Sequence, residues 1–253
     1  MLSNKNSENS AFLDNRLNFN EKYSTSDFHK WLQGFLSEVP FKTVLDVGCG
    51  RGAQSQYLAN KDNDTSVFSF DISKDSIDYI NSKGINNIEA KVGDIDNIDS
   101  TLKKFSSKKF DFIHSAYSFY YAKNPLRSLR DLYEYLAENG TLIISAPHQT
   151  NTFLSHLSRY QDLPQLSWDC LDFIDDIVLG FCHNRFFDIK THIFVNNLFV
   201  NNKDDLIENY RSSAFYDESV ENKLYDDVKK SIESIGHYHI VKKSKVVIAN
   251  NKI

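Results

Sequence analysis

The chain has 253 residues, 41% of them hydrophobic and 25% charged, with a formal net charge of −5. These are ordinary values for a globular protein and exclude disordered, collagen-like and coiled-coil chains. The mild acidic balance also argues against a nucleic-acid partner, which calls for a basic surplus.

From the amino end, residues 1–10 are polar and read as frayed, with no apolar stretch for a signal sequence. No run approaches the ~20 apolar residues of a bilayer span, so the expected address is the cytoplasm, away from membranes. Between residues 12 and 39, Phe28, Trp31, Leu32, Phe35 and Leu36 recur at helical spacing, and Pro40 ends that helix. Residues 43–47 then read as a short strand running into Gly48-Cys49-Gly50-Arg51-Gly52, with a helix over 53–60. The alternation repeats: strand 66–70, helix 74–82 stopped by Gly84, strand 88–92, a weak helix 99–105, strand 110–115. Pro125 opens the next helix, whose stripe is Leu126, Leu129, Leu132, Tyr133 and Leu136. Gly140 stops it before a fifth strand, 141–146. Such alternation implies a parallel sheet covered on both faces. Beyond Pro147, helical segments at 153–160 and 171–179 precede two late strands, 185–195 and 238–249, read as antiparallel.

Only nine glycines are present, and three of them fall in the turn after the first strand. Glycines there let the backbone approach a ligand, and the helix behind offers free N–H groups. The turn also satisfies the loose dinucleotide pattern G-x-G-x-x-G/A. Asp46, two residues before Gly48, argues against that reading, because dinucleotide folds carry an apolar residue there. Asp71 closes the second strand and Asp94 follows the third. Ligands of open α/β sheets bind outside the carboxyl ends of strands, where these three acids can converge.

With V-L-D-V-G-C-G-R-G (44–52), F-S-F-D (68–71), V-G-D-I (92–95), F-D-F-I-H-S (110–115) and L-A-E-N-G-T-L-I-I-S-A-P (136–147) in this order, the chain resembles the class I S-adenosylmethionine-dependent methyltransferases over residues 40–147. The resemblance implies a doubly wound, Rossmann-like α/β sheet of about seven strands, the last antiparallel, with helical cap segments. It implies S-adenosyl-L-methionine as cofactor, with Gly48, Cys49 and Gly50 under its methionine part and Asp46 facing its amino group. Asp71 would bind the ribose hydroxyls, Ile72 would lie against the adenine, and Asp94 and Ile95 would meet the adenine edge. The backbone near His114 and Ser115 would run beside the methionine. The expected organisation is an N-terminal helical cap (1–40) and a methyltransferase domain (41–253) with insertions at about 150–182 and 203–235.

Acceptor candidates follow the fourth and fifth strands. Tyr117, Tyr120 and Tyr121 either contact ligand or pack between sheet and helix. A tyrosine there could orient an acceptor or shield a sulfonium with its ring. His148 directly follows the fifth strand, as a general base or as a solvent-facing loop residue. Tyr23 is a candidate to close over the cofactor, whereas Trp31 reads as core. The remaining histidines, His156, His183, His192, His237 and His239, and the three cysteines show no metal-ligand spacing. The basic clusters at 103–104, 108–109 and 242–245 read as solvated faces, because no aromatics interleave them. The expected reaction is methyl transfer to a hydroxyl or amine of a small molecule. A non-catalytic cofactor-binding protein and an NAD-dependent oxidoreductase are the alternatives. No Y-x-x-x-K follows the fourth or fifth strand, which argues against the second of these.

Overall fold

Two helices open the chain, α1 (Ser10–Tyr23) and α2 (Phe28–Leu36). The strands β1 (Thr43–Val47), β2 (Ser66–Asp71), β3 (Ile88–Val92) and β4 (Phe110–Ala116) then alternate with α3 (Ala53–Lys61), α4 (Lys74–Ser82), α5 (Ile98–Leu102) and α6 (Pro125–Tyr133). The structure is a computed structural model that describes residues 10–36, 39–61, 64–107, 109–149, 151–213 and 215–251. The polar residues 1–9 and Lys108 of the second basic cluster lie outside the described residues. Local chemistry sets several boundaries. The Ser73 side chain caps α4 by accepting the Ser76 N–H, and Asn124 caps α6 ahead of Pro125 by accepting from Arg127.

The sheet has seven strands in the order β3-β2-β1-β4-β5-β7-β6, where β5 is Leu136–Pro147, β6 is Asp188–Val200 and β7 is Tyr238–Asn250. β1 pairs in parallel with β2 and β4, β2 with β3, and β4 with β5, while β7 runs antiparallel to β5. The chain winds outward from β1 to β3 and then crosses back to β4. The crevice beyond the carboxyl ends of β1 and β4 is therefore the topological switch point, where such sheets bind ligands.

Five expectations need correction. The N-terminal helix is broken after Tyr23, where Ser24 bridges to Leu198 and the Thr25 N–H donates to the Asn197 carbonyl (2.9 Å) in place of a helical partner. Trp31, expected in the core, is half-buried with its ring against Phe35. Leu136 belongs to β5, not to the stripe of α6: it pairs with Phe110, and its side chain folds over Gly140, where a Cβ would come within 2.7 Å of Leu136 Cδ1. The weak helix begins earlier, as a 3-10 turn (Ile95–Asn97) leading into α5. After β5 come α7 (Thr152–Leu157) and a longer helical stretch than expected. That stretch is α8 (Leu166–Phe173), a π-helical turn (Ile174–Val178) and α9 (Leu179–His183), followed after β6 by α10 (Lys203–Arg211) and α11 (Glu218–Ile235).

The contacts divide the chain into two units. One comprises residues 29–148, 170–193 and 244–253, with a core that includes Leu45, Phe70, Phe110, Ile144, Phe181 and Val247. The other comprises residues 1–28, 149–169 and 194–243, with a core around Phe153, Leu198, Leu206, Tyr210 and Leu224. Among the described residues, no helix is long and apolar enough to cross a membrane.

Asp111 fastens the amino ends of β1 and β4. Its Oδ2 accepts the N–H groups of Lys42 (3.0 Å) and Thr43 (2.9 Å) and the Thr43 hydroxyl (2.9 Å). Burial opposes ionisation, but the bonds donated by Thr43 and Lys42 outweigh it and hold the carboxyl below its usual range. A depressed folded pKa means stability that is present above the unfolded value of about 3.9 and lost as pH falls through the lower folded value. Asp111→Asn should lower the thermal midpoint at pH 7, and its gap from wild type should close towards pH 3. A gap that stays constant over that range would show that the charge contributes nothing.

Candidate active site

The turn after β1 is shaped by backbone sterics. Gly48, Gly50 and Gly52 have φ of +65°, +51° and +73°, the left-handed region that side chains disfavour. At Gly48 the crowding is severe: a Cβ would stand 2.3 Å from Cβ of Ser118. The N–H groups of Gly48 and Cys49 both donate to the Phe70 carbonyl, at 2.9 and 3.1 Å, which ties the turn to β2. Burial pushes the Cys49 thiol well up, and the neighbouring carboxylates of Asp46 and Asp71 add to it, which disfavours the thiolate.

Asp71, the last residue of β2, reaches across to this turn. Its Oδ2 accepts the Gly50 N–H and its Oδ1 the Ser73 N–H, both at 2.9 Å. Burial raises its pKa, while the bonds from Ser73 and Gly50 oppose the rise. Ile72 beside it is 57% exposed, a large apolar side chain open at the carboxyl edge of the sheet. Asp94 is occupied locally: it accepts the Asp96 N–H (2.9 Å) and the Asn97 side-chain amide (2.8 Å), capping the 3-10 turn that contains half-buried Ile95.

Asp46 and His114 form a pair. They are aligned across β1 and β4, both are buried, and His114 Nδ1 lies 3.1 Å from Asp46 Oδ1. Asp46 Oδ2 accepts the Ser55 hydroxyl at 2.6 Å, and Ser69 in turn donates to Ser55 at 2.9 Å. Ser118 donates to the Val47 carbonyl (2.8 Å), so the hydrogen it shares with Ser115 (2.7 Å) comes from Ser115. This network, reading from β1 through Ser118 to β4, escapes sequence reasoning because strand pairing brings its members together.

Tyr117 directly follows β4 with φ of +54°, a rare conformation for a bulky residue, and its hydroxyl bonds to Ser244. The Tyr120 ring lies tilted against Tyr121 (4.6 Å between centroids) and edge-on to Phe173 (6.2 Å). Burial raises the hydroxyl pKa of Tyr117 and Tyr120 far above the usual range, so neither acts as a base near neutrality. His148 follows β5 with its side chain 14% exposed. Tyr23 belongs to the second unit, where its hydroxyl donates to Asp205, which also pairs with Lys22 at 2.6 Å. Among the described residues, no group of three His, Cys, Asp or Glu could hold a metal ion.

Residues 40–196, more than half of the chain, match a family described as a methyltransferase domain. The chain belongs to that family, the class I S-adenosylmethionine-dependent methyltransferases. The chain is 28% identical, over 116 residues, to a trans-aconitate 2-methyltransferase of Deinococcus radiodurans. That match covers 46% of this chain and 42% of the relative, so the chain spans well under half of that relative's length. Among solved structures it resembles the YcgJ protein of Bacillus subtilis, at 13% identity and a TM-score of 0.57, over 89% of this chain and 98% of the other. It also resembles the plantazolicin methyltransferase BpumL in complex with SAH, at 20% identity and a TM-score of 0.55, over 98% and 94% of the two chains. At these identities the likeness is one of fold. The methyltransferase fold expected from the sequence, with its final antiparallel strand, is the fold observed.

Proposed function

We propose that this methyltransferase moves a methyl group to a hydroxyl or amine of a small molecule, with Asp71 holding the ribose of its cofactor. The cofactor supplies the methyl group on a positively charged sulfur. The observation that carries the reading is the junction of Asp71 with the glycine turn. A carboxylate has about four lone-pair sites. Asp71 commits two to Gly50 and Ser73, and the others can accept from vicinal hydroxyls. Exposed Ile72 would cover one face of the adenine, with Asp94 and Ile95 at its edge. Gly48, Cys49 and Gly50 would pass beneath the methionine part, beside the backbone of His114 and Ser115. Asp46 would act through its buried network, because Ser55 and His114 already engage both its oxygens. Tyr117, Tyr120, Tyr121 and His148 would border the acceptor. The name of one relative, a trans-aconitate methyltransferase, supports a small acceptor.

Calorimetry should show micromolar-range binding of S-adenosylhomocysteine and none of NAD; the reverse pattern would end this reading. A labelled methyl group recovered in a small-molecule product would separate an enzyme from a mere cofactor binder. Asp71→Ala should weaken S-adenosylhomocysteine binding by about 1.5–3 kcal/mol, the range for hydrogen bonds to a charged group. The pH dependence follows from burial. Hydroxyl donors favour the ionised carboxylate, and the free carboxyl is already held partly protonated at higher pH than a solvated one. Affinity should therefore fall as pH drops, beginning above the ordinary carboxylate range. An equal fall in Asp71→Asn would assign the effect elsewhere.

A further inference from the structure

At the carboxyl edge of the sheet, three residues that are far apart in sequence form a second charged cluster within the first unit. His148 follows β5, Asp175 lies in the π-helical turn Ile174–Val178, and Lys245 sits on β7 opposite Ala146. Asp175 Oδ1 is held by the Lys245 ammonium. Its other oxygen, Oδ2, faces Nδ1 of His148 at 3.6 Å. That nitrogen is buried and has no hydrogen-bond partner among the described residues, so the 14% exposure of the His148 side chain belongs to its other atoms.

The tautomer follows from this geometry. A neutral imidazole carries its hydrogen on one nitrogen and a lone pair on the other. A lone pair on Nδ1 would face a carboxylate oxygen only 3.6 Å away, which is repulsive. A hydrogen there faces an acceptor that only has to approach by about half an ångström, and such contacts are often long before substrate binds. The hydrogen is therefore on Nδ1, and the lone pair is on Nε2.

Two further features mark this edge. A π turn inserts one residue into a helical turn and re-aims the side chains around it, and such turns recur at functional sites. Tyr117 directly after β4 and Gln149 directly after His148 are the only non-glycine residues with positive φ among those described, at +54° and +56°. Backbone held in that region clusters where geometry serves a site.

The geometry points to a base: Asp175, fixed by Lys245, orients His148 so that Nε2 takes the proton of an acceptor hydroxyl. This rests on the methyl-transfer reading above and narrows its acceptor to an alcohol or phenol. In the step, the acceptor O–H bond breaks and its proton goes to Nε2. The oxygen's electron pair forms the bond to the methyl carbon, and the carbon–sulfur pair stays on sulfur. The imidazolium then sits against Asp175 until it loses its proton to water. A neutral amine or a carboxylate attacks with a lone pair it already has and needs no such base. Tyr117 and Tyr120, both half-buried, hold their protons too tightly to compete for the role. Asp175 is thus a positioning residue and His148 a catalytic one.

The tautomer can be read without any acceptor. Long-range proton–nitrogen spectra of the uniformly ¹⁵N-labelled protein, with S-adenosylhomocysteine present, should give His148 a pyrrole-type Nδ1 and a pyridine-type Nε2. Its signals are those that vanish in His148→Gln. In Asp175→Asn the side-chain amide donates to Nδ1, and the pattern should invert. A pyridine-type Nδ1 in wild type overturns the inference, and that result needs no variant to fold. So does an Asp175→Asn spectrum that is unchanged. Loss of S-adenosylhomocysteine binding in wild type would instead sink the methyl-transfer reading and leave the tautomer result standing. The acceptor class has its own check, with methyl-labelled S-adenosylmethionine in a cell extract. Label in an ether supports a hydroxyl acceptor. Label released by alkali as methanol, from an ester, or held in an amine overturns it.

Discussion

Gly48→Val should destabilise the protein by about 2–5 kcal/mol and abolish binding of S-adenosylhomocysteine. Two costs combine. The left-handed φ of +65° disfavours any L side chain by about 1–2 kcal/mol, and forced overpacking adds about 1–3 kcal/mol. The crowding has no soft outlet, because the nearest atom is Cβ of Ser118, 2.3 Å from the added carbon. Moving Ser118 breaks its bond to the Val47 carbonyl and releases Ser115, so the damage runs from β1 into the end of β4. A domain with about 5–15 kcal/mol of total stability then loses a large fraction of it. Gly34→Ala is the matched control. Gly34 lies within α2 with nothing within 4 Å of its added Cβ, and the change should stabilise by about 0.5–1 kcal/mol. Denaturant midpoints of the two variants, measured with and without S-adenosylhomocysteine, decide the matter. If Gly48→Val keeps wild-type stability and affinity, the turn is not the tight cradle described.

What could be read from the sequence was local. Helix α4 has the expected bounds because Ser73 caps one end and Gly84, with φ of +63°, follows the other. Asp71 and the three turn glycines were legible for the same reason, since strand, turn and helix are contiguous. Leu136 was misassigned because its spacing from Leu132 and Leu129 fits a helical stripe. Only the pairing of Leu136 with Phe110 shows it to be strand. Either way it is buried, so hydrophobicity marked the core correctly while periodicity chose the wrong element. The site divides along the same line. Asp46 was singled out from its place before the turn, but its buried pairing with His114 depends on the register of β1 against β4. Asp175 and Lys245 carry no signal at all in sequence. One is brought in by a π turn and the other by an antiparallel register that puts Lys245 opposite Ala146.

His148→Ala should lower kcat by roughly 10²–10⁴-fold with a confirmed hydroxyl acceptor, the usual contribution of a positioned general base. Affinity for S-adenosylhomocysteine should not change, because the residues proposed for the cofactor lie in the turn after β1, at the ends of β2 and β4 and just after β3. The sequence alone left two roles open for this histidine, since displacement by a neutral amine needs no base. The buried Nδ1 facing Asp175 favours the basic role, because a residue that only lines a pocket has no need of an oriented ring. The two roles separate kinetically. Loss of a base acts on the transition state and lowers kcat and kcat/KM together. Loss of a ground-state contact raises KM and leaves kcat nearly intact. Asp175→Asn should follow His148→Ala in kcat, because its amide donates to Nδ1 and forces the hydrogen onto Nε2, which then has no lone pair to accept the proton. The double variant should be no slower than the worse single one, since the two residues act as one device. Additive losses would mean that Asp175 acts independently of His148. Kinetic constants and pH–rate profiles of His148→Ala that superimpose on wild type would remove the histidine from the chemistry, and would return the acceptor site to the tyrosines that follow β4.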